Sequence, residues 1–218
     1  MLITILVYIG AFAFALGGSY RALEKQFDLF GICLCACVTA FGGGIIRDTI
    51  LHKAPVFFTN PSLLIAVGLG VACAIAIYRW TKLFSHYITT VNALGLVIAS
   101  LIGCQSAAAA GLGLPAMALF AFLGAAGGGI MTQVITGSKH MLYGEFYPAL
   151  SILFACEFFL VRSYAHETLV QCILLGNVFL LRLFTAQIQT KMWRPHSLKR
   201  TQEETTPNVL VADQALPD

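Results

Sequence analysis

Apolar residues fill most of this chain in long stretches, and charged residues gather in the short intervals between them. Seven stretches stand out: Leu2–Tyr20, Leu29–Leu51, Leu63–Tyr78, Tyr87–Ala107, Leu114–Thr136, Phe146–Val161 and Thr168–Phe184. None alternates apolar and polar positions, so they do not read as strands of a membrane barrel. Most are long enough for an α-helix to cross a hydrocarbon core of about 30 Å. A helix also satisfies its own backbone, which lipid requires. The pattern predicts an all-α integral membrane protein of seven transmembrane helices. No basic residue precedes the first stretch, so it reads as a retained helix rather than a cleaved signal. From about Gln187 the chain turns polar, and residues 187–218 read as a disordered cytoplasmic tail.

Composition strengthens the membrane reading. The chain is 58% hydrophobic and 11% charged, with a mean hydropathy of +0.83. A soluble domain carries about a quarter charged residues. Lysine and arginine set the orientation. With seven spans and the N-terminus outside, ten basic residues fall inside: Arg21, Lys25, Arg79, Lys82, Lys139, Arg182, Lys191, Arg194, Lys199 and Arg200. Three fall outside: Arg47, Lys53 and Arg162. The net charge of +3 follows from this bias and is no argument for nucleic-acid binding. The seven cysteines lie in or at the ends of spans and read as small packing residues rather than disulfides or a metal motif.

The chain repeats itself. "AFGGGI" at 40–45 returns as "AAGGGI" at 125–130, an offset of 85 residues. At that offset Gly10 meets Gly95, Gly18 meets Gly103 and Ala22 meets Ala107. Residues 1–82 and 83–165 thus read as two three-helix units, with a seventh helix at 166–186 left over. Three spans per unit is odd, so the second copy is inverted, an arrangement common in transporters, with the solute site at the repeat interface.

The glycine triplets invite two readings. Each glycine costs roughly 1 kcal/mol against alanine in a helix interior. They either let helices pack closely or break helices two and five, exposing carbonyls to cations and N–H groups to anions. The triplets are expected to break the helices, with Gly42, Gly43, Gly44, Gly127, Gly128 and Gly129 along one solute path. Arg47 and Asp48 would then sit in the first turn after the break, where Asp48 suits the positive helix end and Arg47 needs a partner elsewhere. Their counterparts in the second unit are the uncharged Thr132 and Gln133. Glu157, deep in the sixth span, needs a partner or a cavity, and Arg47 and Arg182 are its candidates. Asn92, Asn177 and Gln105 read as helix–helix hydrogen-bonding groups.

"TAFGGGIIRD" at 39–48, "GAAGGGI" at 124–130 and "LLRLF" with "MWRP" after it resemble the bacterial glycine transporter family, which is related to the trimeric intracellular cation channels. The resemblance implies a homotrimer in the bacterial inner membrane, a pore in each protomer between helices two and five, and passage of a monovalent cation such as K+ or a small solute such as glycine. It carries the glycines of both triplets, Arg47, Asp48 and Arg182 into the family's pattern. The family often has a charged pair after the second triplet, where Thr132 and Gln133 stand here. No H-E-x-x-H or G-x-S-x-G motif suggests an enzyme, and no catalytic residue, cofactor or metal is expected. A non-transporting membrane scaffold is the alternative.

Overall fold

The structure is a computed structural model that describes residues 2–79, 85–137, 147–161 and 168–187. The expected tail beyond Gln187, which itself ends a helix, and the residues Lys82, Lys139 and Arg162 lie outside the described residues. All regular structure within them is helical: α1 (Leu2–Glu24), α2 (Leu29–Ile50), the short α3 (Val56–Thr59), α4 (Leu63–Tyr78), α5 (Ser85–Ala109), α6 (Leu114–Phe122), a π-helical turn (Leu123–Gly127), α7 (Gly128–Thr136), α8 (Tyr147–Leu160) and α9 (Thr168–Gln187). α6, the π turn and α7 form one rod over Leu114–Thr136. Four helices are long and apolar enough to cross a membrane: α1, α2, the described part of α5 and that rod. Three further helices, around 63–78, 149–160 and 169–184, are apolar but shorter.

Local chemistry sets the ends. Asp28 caps α2, its Oδ1 accepting from the Gly31 N–H at 2.8 Å, which satisfies one of the free donors of the first turn. Gly137 ends α7 at φ +64, a left-handed conformation that glycine reaches without strain. His52 takes the same region (φ +52) just beyond α2.

The buried side chains form two cores. One joins α1, α2 and α4 through Ala15, Ile32, Ala36, Val67 and their neighbours. The other joins α5, α6, α8 and α9 through Leu101, Phe120, Phe154, Phe158 and Val178. Between the cores the helices meet in antiparallel pairs. Along α2 and the α6–α7 rod, Cys35 and Thr39 approach Thr132, Thr39 approaches Gly128, and Gly43 approaches Gly124 and Leu123. Along α1 and α5, Gly10 approaches Ile98, Ala13 and Phe14 approach Gly95, and Gly17 approaches Asn92.

These contacts obey an approximate two-fold. Under the 85-residue offset, Gly10–Ile98 maps onto Gly95–Ala13, and Thr39–Gly128 onto Gly124–Gly43. The pairing of Gly18 with the Cys35 carbonyl maps onto that of Gly103 with the Phe120 carbonyl. Large apolar side chains such as Phe30, Ile65, Val134, Leu160 and Phe184 face outward, as a lipid-facing surface requires.

One expectation is corrected. α2 runs unbroken through Gly42–Gly44. The rod departs from α geometry only in the π turn, which ends at Gly127, and α7 resumes at Gly128. The glycines serve contact instead. A Cβ on Gly43 would overlap the Leu123 carbonyl oxygen, and one on Gly128 the Thr39 carbonyl oxygen. Gly127 lies against the Gly43 Cα, and Gly42 against Gly128 and Met131. Without side chains between them the two backbones approach until carbonyls meet Cα atoms. Gly129 is buried as well. Gly44 differs: nothing lies within 4 Å of where its Cβ would be.

Candidate functional site

The space beside Gly44 is a cavity of about 90 Å³, room for several water molecules. We call the end of the bundle holding the start of α1 and the end of α2 the upper end. The cavity lies there, between α1 (Val7, Gly10, Phe14), α2 (Ala40, Gly44, Arg47, Asp48), the segment Pro55–Phe57, α5 (Ile98, Ile102) and the π turn at Gly124. Its walls are apolar except at Arg47 and Asp48.

Arg47 and Asp48 are both buried, at 6% and 4% exposure, and they bond each other. Arg47 Nε and Nη2 reach Asp48 Oδ1 at 2.8 and 2.7 Å. Asp48 Oδ2 accepts from the Val56 N–H at 3.3 Å. Two expectations are corrected. Arg47 finds its carboxylate on the next residue rather than on another helix, although sequence neighbours on a helix do not normally face each other. And the pair sits in the last turn of α2, not the first turn of a new helix. There the free carbonyls favour Arg47, and Asp48 is offset by the guanidinium and the Val56 amide.

The counterparts of this pair lie at the lower end. Thr132 and Gln133 are buried. Thr39 Oγ1 donates to the Cys35 carbonyl at 2.6 Å and lies 2.6 Å from Thr132 Oγ1. Gln133 Oε1 and Asn92 Oδ1 are buried without a hydrogen-bond partner. Sequence reasoning passed over Thr39 and Gly124 and the apolar walls from α1 and α5. The 85-residue offset, carried from the triplets to every helix, was the signal that would have found them.

Glu157 is not at the cavity. Its Oε1 accepts from Asn177 Nδ2 of α9 at 3.1 Å, so the expected pairing with Arg47 does not occur. Arg182 is buried on α9. All seven cysteines are free; Cys35 and Cys104 are buried as packing residues, whereas Cys33, Cys156 and Cys172 face outward.

Known proteins resemble this chain in sequence and in fold. A UPF0126 membrane protein of Deinococcus radiodurans is 33% identical over 128 residues, 58% of this chain and 60% of that one, so the aligned part leaves much of the relative uncovered. UPF0126 membrane protein YvgT of Bacillus subtilis is 29% identical over 68% of this chain and 75% of its own. UPF0126 inner membrane protein YadS of Escherichia coli is 29% identical over 70% and 75%. Among solved structures, a prokaryotic TRIC channel crystallised in 0.5 M KCl superposes with a TM-score of 0.78 at 26% identity, covering 86% of this chain and 97% of that one. The fold is also that of a TRIC cation channel studied for its conductance, with a TM-score of 0.81 at 22% identity over 89% and 98%. The Glycine transporter family model matches this chain twice, at residues 4–79 and 89–163, two stretches that begin 85 residues apart. The chain is therefore a multi-pass, all-helical membrane protein with a TRIC-like fold, and it belongs to the Glycine transporter family.

Proposed function

We propose that this protein is a permeation protein of the bacterial inner membrane that passes a monovalent cation such as K+ or a small zwitterion such as glycine, by one path in each protomer of a homotrimer. In this reading seven helices span the bilayer, with the N-terminus outside and the C-terminus cytoplasmic. Residues 1–82 and 83–165 are inverted repeats, 166–186 the seventh helix and 187–218 a tail. The path runs beside the crossing of α2 with the α6–α7 rod, past Gly44, Arg47 and Asp48 above and Thr132 and Gln133 below.

The observation that carries this reading is the cavity closing on a buried ion pair at that crossing. A buried charge pair is expensive in a membrane, and such pairs mark solute paths. A zwitterion meets both signs there, and a cation meets the Asp48 carboxylate. A scaffold needs neither the cavity nor the pair. The likeness to TRIC channels supports a permeation role.

The test is flux in liposomes holding the purified full chain, with K+ and labelled glycine compared on the same preparation. Saturable glycine uptake or K+ flux that falls at least about tenfold in the Arg47→Gln/Asp48→Asn double variant is expected, corresponding to one lost charge-assisted contact. Folded protein that passes neither solute would overturn the reading. Native mass spectrometry in mild detergent should give trimers, and a reporter fused after Asp218 should be active only on the cytoplasmic side.

A further inference from the structure

The upper cavity has a roof that little packing holds. Residues 51–62 join α2 to α4, and within them Pro55, Val56 and Phe57 line the cavity. None of residues 52–60 is buried. The backbone leaves helical geometry on both sides of α3, at His52 (φ +52) and at Asn60 (φ −136, ψ 71). A segment with few buried contacts opens locally at low cost. A few loop residues that absorb φ/ψ changes are enough for a hinge.

Apart from the turn in which Lys53 N–H donates to the Asp48 carbonyl, two contacts tie the middle of this strap to α2. Phe57 stacks on Phe41, with ring centroids 5.3 Å apart and planes at 21°. Val56 N–H donates to Asp48 Oδ2 at 3.3 Å, beyond the most favourable N–H···O range. Arg47 holds the other oxygen, Oδ1, through Nε and Nη2. The oxygen left to meet a permeant cation is Oδ2, and the strap's amide stands on it. Closure of the strap and contact with the solute therefore compete for one atom.

We infer that the strap at Pro55–Phe57 is a lid on the upper cavity, latched by the Val56 amide on Asp48 Oδ2, and that a cationic solute opens it by taking that oxygen from the amide. The inference rests on the permeation reading and adds its regulation. A solute shifts a closed–open equilibrium only as far as it prefers one state. Here the preference follows from the shared atom: a cation contacts Oδ2 only after the amide has left. The exchange never leaves the carboxylate bare, since one donor or cation replaces the other. A long, single hydrogen bond suits a latch that must release. The Phe57–Phe41 stack keeps the freed strap beside α2, from where it recloses once the solute has passed.

The experiment reads opening of the lid as the labelling rate of a thiol inside the cavity. In Gly44→Cys the side chain enters that space, where nothing lies within 4 Å of its Cβ. A bulky charged methanethiosulfonate does not fit a cavity of about 90 Å³ while the lid is shut. Its addition to the purified full-length chain in detergent is followed by mass spectrometry, with the seven native cysteines counted on the wild type. On the Gly44→Cys background, Val56→Pro removes the latch N–H alone. Pro55 already has the extended conformation that a following proline requires (φ −53, ψ 137), and proline suits the first residue of a helix. Val56→Pro should speed labelling about tenfold, the equivalent of one lost charge-assisted bond. Val56→Ala keeps the N–H and should label more slowly than Val56→Pro. K+ in place of equal N-methylglucamine, or added glycine, should speed labelling with Val56 present and add nothing in Val56→Pro. Phe57→Ala removes the second tie and should also speed labelling, which keeps the test open should Val56→Pro not fold. A folded Val56→Pro at the parent rate, or no faster than Val56→Ala, would overturn the latch, and Phe57→Ala at the parent rate would overturn the lid. Labelling that neither solute changes would overturn release by the permeant. All three outcomes leave permeation intact, whereas a folded wild type that passes neither solute in liposomes overturns the permeation reading itself.

Discussion

The upper and lower ends of this bundle share one scaffold and differ in chemistry. On the seam of α2 with the rod, Gly43 and Gly128 approach carbonyls, those of Leu123 and Thr39, because a side chain there would push the backbones apart. The positions beside the seam have diverged. Gly124 in the upper cavity corresponds to Thr39 below, Val7 to Asn92, Arg47 to Thr132 and Asp48 to Gln133. Above, the space beside Gly44 ends on an ion pair. Below, Thr39 bonds Thr132. Packing thus constrains the seam to be symmetric, while the positions beside it are free to differ.

The upper pair should give the largest effect. Asp48→Asn leaves Arg47 buried without its countercharge, and the loss should be about 3 kcal/mol. Urea titration in detergent measures it. The Arg47→Met/Asp48→Leu double variant should recover most of the loss, since an apolar pair removes both desolvation penalties. If Asp48→Asn is no less stable than the wild type, the upper end carries no buried pair and its contrast with the lower end collapses.

The seam comes next. Gly43→Ala and Gly128→Ala should each destabilise by about 2 kcal/mol, the usual range for overpacking, and by similar amounts because the two-fold relates them. Thermal unfolding of both variants side by side checks this. A rise in stability at either position would favour the helix-breaker reading over packing.

The threonine tie is weaker. Thr132→Val removes the buried tie to Thr39 and the longer contact with the Cys35 carbonyl, and should lose about 1 kcal/mol. Its upper counterpart already has no such tie, so a change equal to that of an exposed substitution would mean the lower end is no more closed than the upper.

Gly44→Ala should be the mildest in stability and the most selective in function. Nothing meets the new methyl, and the helix gains up to about 1 kcal/mol in propensity. The methyl enters the upper cavity, so flux should fall while the melting temperature holds or rises. Unchanged flux in this variant would remove Gly44 from the path.

The helices were legible because lipid leaves the backbone few choices. Continuous apolar runs such as Leu29–Leu51 and Leu114–Thr136 had to become helices, and the structure ends them within a residue of those bounds. The internal offset was legible too, since the triplets mark a place in each unit where two backbones touch. The use of the glycines was not. Helix propensity is a weak local preference of about 1 kcal/mol per glycine, and burial against a neighbouring helix overrides it. Hence α2 stays helical throughout, and among the described residues the departure from α geometry in these two helices is a π turn at Leu123–Gly127, for which we have no local sequence signal.

The chain by itself determined that it is an all-helical membrane protein with an internal repeat and an Arg47–Asp48 pair at the end of an apolar run. These follow from local composition and period, which lipid reads residue by residue. Only the tertiary structure decided that Arg47 and Asp48 bond each other, that Gly44 faces a cavity while Gly43 faces a carbonyl, that Thr39 meets Thr132, and that Glu157 turns to Asn177. One residue along a helix is a rotation of about 100°, and whether that turn points a group at a neighbour or at open space depends on where the antiparallel helix crosses. That crossing is set by contacts between residues about 85 positions apart, which no local pattern encodes.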